Sequence, residues 1–108
     1  MSEIYIDETF IRERIAQLRM NKNVSARDMS LSLGHSEGYI NAIENGHTIP
    51  SIPVFLHICE YLGVTPMEFF DSGNQNPEML RELIKDLKHL DHKALLHISW
   101  LAKELGKK

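Results

Sequence analysis

The chain has 108 residues, of which 43% are hydrophobic and 25% charged, with a formal net charge of −3. This excludes a disordered chain and allows one domain with a real core, plus an appended element. Residues 1–73 hold five basic and ten acidic side chains, a balance of −5, and residues 74–108 hold seven and five, a balance of +2, which leaves no broad basic field on the first part.

The opening stretch MSEIYIDETF has neither the basic start nor the apolar centre of a secretory signal. No apolar run is long enough to cross a bilayer. The single cysteine, Cys59, cannot close an intrachain disulfide. The expected location is therefore the cytoplasm, without a membrane partner.

Helix 1 is expected at about 10–22, from Phe10, Ile11, Ile15 and Leu18 at helical spacing, with Asp7 or Thr9 as its cap. Ser25 caps helix 2, with Asp28 three residues later in a variant capping box. Met29 and Leu33 form its buried stripe, and Gly34 ends it in a left-handed conformation. Ser36 is read as the cap of helix 3, about 36–45, with Glu37 at its positive end. Tyr39, Ile40 and Ile43 carry its apolar positions. Asn45-Gly46 closes it, both being residues that tolerate positive φ.

Ser51 caps helix 4, where Phe55, Ile58, Cys59 and Leu62 recur at i, i+3, i+4, i+7. Gly63 ends it. Thr65-Pro66 with Glu68 starts a short helix 5 through Phe70. The stretch DSGNQN is the one linker-like segment. Helix 6 follows from Pro77 with Met79, Leu80, Leu83, Ile84, Leu87 and Leu90 on one stripe. Asp91 caps helix 7, which runs to about Leu105 and stops at Gly106. The expected fold class is all-α.

No nucleophile, base and orienting group stand at a readable spacing, so no enzyme activity is expected. His89, His92 and His97 cluster in sequence, but their spacing crosses a predicted turn, so no metal site is expected. No cofactor and no small-molecule ligand is evident. Cys59 reads as a small core hydrophobe.

Residues 10–71 carry a pattern of signals. Val24-Ser25 starts helix 2, and Leu33-Gly34 makes the turn. Ser36 and Tyr39-Ile40 follow, then Ile43-Glu44-Asn45-Gly46 and Pro50-Ser51, and last Leu62-Gly63-Val64-Thr65-Pro66 with Phe69-Phe70. This pattern resembles the phage-repressor (Cro/CI-type, XRE-like) helix-turn-helix family. The resemblance implies a five-helix lambda-repressor-like DNA-binding domain over 1–71. A linker at 72–76 and a C-terminal helical hairpin at 77–106 lie beyond it, similar to the dimerisation hairpins of short bacterial repressors.

It implies further that Glu37, Gly38, Asn41 and Ala42 face DNA bases. Arg27, Ser36, Tyr39, Asn45, Gly46, His47 and Thr48 would face the backbone, with amides near a phosphate. Arg19 and Glu44 match a structural ion pair of the family. Ala26 stands where relatives often place a supporting Gln, so that role is vacant.

Chemistry leaves alternatives at several of these positions. Asn41 either pairs bidentately with adenine or is a solvated helix residue. Glu37 either accepts from cytosine N4 or complements the helix dipole. Tyr39 packs or offers its hydroxyl to a phosphate, and the second is favoured because Ile40 and Ile43 suffice for the core. Gly38 within a helix costs about 1 kcal/mol relative to Ala. Arg27 and Lys22 either touch phosphate or are surface charges.

On helix 7, Leu95, Ile98, Leu101, Ala102 and Leu105 share one face, while Leu96 and Trp100 lie almost opposite. A helix with two apolar faces needs two partners. One can be helix 6; the second is either the helix-turn-helix domain of the same chain or another subunit, and a second subunit is the favoured one for Leu96 and Trp100. The function expected is a DNA-binding transcriptional regulator, a repressor acting as a homodimer on double-stranded DNA. The alternative is a protein-interaction module, antirepressor or antitoxin-like, that keeps the fold without reading DNA.

Overall fold

Most helices of this chain begin where a side chain closes the first turn. The computed structural model describes residues 7–71 and 73–107. Among them are seven helices and no strand: α1 (Glu8–Asn21), α2 (Ala26–Ser32), α3 (Tyr39–Glu44), α4 (Ile52–Leu62), α5 (Pro66–Phe70), α6 (Pro77–Leu87) and α7 (His92–Leu105). The fold is all-α. Asp7 accepts from the Phe10 amide at 3.0 Å, Ser25 from Asp28 at 3.0 Å and Asp91 from Ala94 at 2.8 Å. Thr65 and Glu68 form a reciprocal capping box, at 3.1 and 2.9 Å, with Pro66 at the first helical position. Gly63 ends α4 at φ 73°, the left-handed stop that lacks a Cβ penalty.

Two units make up the chain, the first ending at Pro77 and the second beginning at Glu78. In the first, Ile15, Met29, Ile40, Ile58 and Phe69 lose all solvent exposure, and Leu18, Ile43, Cys59 and Leu62 nearly all. Each such large apolar side chain contributes about 1.5–3 kcal/mol by leaving water. The Phe55 and Phe69 rings meet edge to face at 4.9 Å, and Phe69 and Phe70 at 5.1 Å. One cation joins this core. Arg14 is buried, and its guanidinium donates to the carbonyls of Phe69 (2.6 Å), Glu68 (2.8 Å), Asp71 (3.0 Å) and Asn74 (2.8 Å), and to Gln17 (2.7 Å). Burial pulls its pKa below the ordinary value, partly offset by Asp71. Arg14 thus satisfies the open Phe69 and Asn74 carbonyls and adds a second donor to those of Glu68 and Asp71, which also accept the Asp71 and Asn74 amides. Asn21 also donates to the Gln75 carbonyl, so the linker-like segment is fastened to α1.

In the second unit Asp91 starts α7 and Gly106 ends it in right-handed geometry at φ −80°. Among its described residues no hydrophobic side chain is buried; Leu96 is 55% exposed and Trp100 64%.

Three local expectations are corrected. Helix 3 spans Tyr39–Glu44, not 36–45, and Ser36 is not its side-chain cap. Ser36 instead accepts from the Tyr39 amide through its carbonyl, at 3.1 Å, in a turn that precedes the helix. Gly38 therefore lies before the helix rather than within it, and the helix-interior penalty does not apply. Asn45 keeps φ −90°, so Gly46 alone takes positive φ, at +81°.

Candidate nucleic-acid interface

The turn from α2 to α3 is held by a residue the sequence did not advertise. Ser30 is fully buried. Its hydroxyl donates to the Ala26 carbonyl at 2.7 Å and accepts from the Ile40 amide at 2.9 Å. Ile40 sits in the first turn of α3, where amides have no partner inside the helix. A side chain from α2 therefore closes the start of α3 and fixes its direction. The only signal in sequence was a small polar residue beside the apolar Met29. Gly34 takes φ +80° between the two helices, a conformation that favours glycine.

The far end of α3 is held by α1. Arg19 Nε donates to Glu44 Oε2 at 2.7 Å and Nη2 to Oε1 at 3.0 Å, a bidentate pair with side chains only 17% and 12% exposed. Arg19 also donates to the Val24 carbonyl at 2.9 Å, tying down the entry to α2. The hydrogen bond to Glu44 raises the Arg19 pKa further against its desolvation. Ile40 and Ile43 anchor the inner face of α3. Asn41 faces solvent, and Ala42 is half-buried.

A helix-turn-helix domain model matches residues 13–73, more than half of the chain. The chain belongs to that helix-turn-helix family. None of the curated proteins and none of the solved structures matches it.

Within this helix-turn-helix frame, α2 and α3 are the paired helices, and members of the family are DNA-binding regulatory domains. Arg27 Nε lies 3.0 Å from Glu37 Oε2, which joins a base-facing and a backbone-facing candidate in one exposed pair. Tyr39 is half-buried, and its ring stacks on His35 with centroids 3.9 Å apart and 9° between planes. Burial raises its phenol pKa. Tyr39 thus also packs against the core.

The amides of Asn45, Gly46 and His47 are not open to a phosphate, which corrects the expectation for these groups. They donate to the carbonyls of Asn41 (3.0 Å), Ile43 (3.0 Å) and Ala42 (2.9 Å) and close the C-terminus of α3. What this segment exposes are the side chains of Asn45, His47 and Thr48. Among the described residues no three His, Cys, Asp or Glu side chains converge. No described helix is long and apolar enough to cross a membrane.

Proposed function

We propose that this helix-turn-helix protein is a sequence-specific transcriptional regulator, a repressor, that binds a pseudo-palindromic operator as a homodimer with α3 in the major groove. The observation that carries the reading is the bracing of α3. Ser30 closes its start and Arg19–Glu44 holds its end, while Asn41 stays exposed. A base-reading helix needs that rigidity, because bidentate contacts fail if the helix tilts. Asn41 is assigned to adenine, with Glu37, Gly38 and Ala42 completing the base-facing set. Arg27, Ser36, Tyr39 and the side chains of Asn45, His47 and Thr48 are assigned to the backbone. Leu96 and Trp100 are assigned to the subunit interface, so that two copies of α3 span two half-sites about one DNA turn apart. Control follows from occupying promoter DNA, in the cytoplasm, without ligand chemistry.

The test is fluorescence anisotropy against DNA from around the protein's own gene and against random duplex, titrated with salt. Specific binding above the random background that weakens steeply with salt supports the reading. Absence of binding to either at low salt rejects it.

A second reading, a protein-interaction module, draws on two observations. Glu37 neutralises Arg27 beside α3, and the apolar residues of α7 are exposed. It is favoured if the protein fails to bind DNA.

A further inference from the structure

We propose that Arg12, on α1, supplies the cation of a DNA phosphate subsite at the junction of α1 with the segment after α3. The proposal rests on the DNA-binding reading above and adds to it a site built by residues on separate elements.

The residues after α3 are where the helix-turn-helix resemblance puts a phosphate, yet they bring no cation of fixed charge: Asn45, Gly46, His47, Thr48 and Ile49. Their first three amides are consumed by the end of α3. A helix C-terminus also carries partial negative charge, which repels an anion. A phosphate is held here only if another element supplies positive charge.

Arg12 reaches that place. A Cβ built on Gly46 would lie 2.8 Å from Arg12 Nη1 and 3.4 Å from Cζ, so the guanidinium rests against the bare Gly46 backbone. Gly46 has a double role: it takes φ +81° and leaves the seat that Arg12 occupies. The other arm, Nη2, donates to Thr9 Oγ1 at 2.7 Å, which fixes the direction of the fork. A guanidinium has five N–H donors, so most remain for a ligand. Arg12 and Thr48 line the same cleft, about 150 Å³ in volume, with Asn45 and Gly46. Among the described residues the Thr48 amide has no protein acceptor. Arg12 and Thr48 thus border one opening, and between them they carry guanidinium, amide and hydroxyl donors of the kind that bind a phosphodiester oxygen. Glu8 lines the cleft too and opposes an anion. The subsite therefore holds phosphate through Arg12 against a standing repulsion from Glu8.

The experiment measures anisotropy of a short fluorescein-labelled duplex of mixed sequence with wild type, Arg12→Gln, Arg12→Lys and Glu8→Gln, across a sodium chloride series. Thermal unfolding of each variant is followed in parallel. Loss of one phosphate contact lowers the salt slope by about 1 per protomer and weakens binding equally on all sequences. Arg12→Gln is expected to show both, Arg12→Lys to keep the slope, and Glu8→Gln to bind several-fold tighter. An unchanged slope in Arg12→Gln, with wild-type protein binding normally, overturns the subsite and leaves the DNA-binding reading standing. If Arg12→Gln is too unstable to assay, Glu8→Gln decides: unchanged affinity overturns the subsite. No binding by wild type at low salt overturns both.

Discussion

Arg27 Nε sits 3.0 Å from the Glu37 carboxylate, and the two side chains are 66% and 68% exposed. A pair this exposed contributes little to stability, typically below about 1 kcal/mol. Its effect is on the field in front of α3, where it holds a cation away from an approaching phosphate. Glu37→Gln is expected to release Arg27 and tighten binding to any duplex several-fold. The unfolding free energy measured in urea should stay within about 0.5 kcal/mol of wild type. Arg27→Ala should weaken binding on all sequences alike. A smaller gain on the operator than on random duplex would mark Glu37 as a base reader as well.

Ser30 couples α2 to α3 through the Ile40 amide. Ser30→Ala leaves that amide buried without an acceptor, which costs about 1–3 kcal/mol. The expected result is a lower urea midpoint. Discrimination between operator and random DNA should also fall, because α3 loses the bond that sets its start. Full stability in Ser30→Ala would show that the cap is dispensable.

Arg14 binds four backbone carbonyls around the end of α5 and is 3% exposed. Arg14→Met keeps much of the apolar stem but orphans the Phe69 and Asn74 carbonyls, while those of Glu68 and Asp71 keep their backbone donors, and a loss of about 3 kcal/mol is expected. Arg14→Lys should recover little, since an ammonium cannot reproduce the planar fork. Limited proteolysis should then cut first within 70–76, the segment Arg14 fastens. Wild-type resistance there would contradict the anchoring role.

Much of this fold was legible in local sequence because its punctuation is local. Ser25, Thr65-Pro66, Gly63 and Asp91 act within three or four residues, and each stops or starts a helix where its chemistry dictates. The start of helix 3 is not legible locally, for the opposite reason. Its cap comes from Ser30, ten residues earlier, so Ser36 looked like the only available cap. Arg14 was invisible because its partners are carbonyls, which every residue possesses, 54 to 60 positions away. The Arg27–Glu37 pair crosses the same turn and was likewise read as two independent residues. At the candidate interface, Glu37, Gly38 and Asn41 are exposed while Tyr39 and Ala42 are half-buried, and the local electrostatics depend on side chains meeting in space.

Cys59 is 2% exposed, and desolvation pushes its thiol up to about 11. At neutral pH the folded protein holds almost no thiolate, so alkylation by iodoacetamide should wait for unfolding. The same shift makes stability pH-dependent. The neutral thiol is favoured in the folded state, so its contribution is complete below pH 9 and is lost as pH rises toward about 11. Urea unfolding between those values should fall more steeply for wild type than for Cys59→Ala. Equal slopes would exclude the thiol as the source.

Trp100 is the chain's single tryptophan, and it is 64% exposed beside Leu96 at 55%. Aromatic side chains that bury on association are strong interface anchors. If α7 joins two copies, Trp100 emission should shift to shorter wavelength as protein concentration rises, and sedimentation should pass from monomer to dimer over the same range. Leu96→Ser with Trp100→Ser should abolish the sedimentation change while leaving the first unit folded, because that unit's core draws on no residue beyond Pro77. DNA binding by the double variant should drop by much more than any single phosphate contact accounts for, since two half-sites would then be bound independently. A protein that remains monomeric at every concentration, with operator binding intact, would separate the helix-turn-helix function from α7 and leave the Leu96–Trp100 face to a different partner.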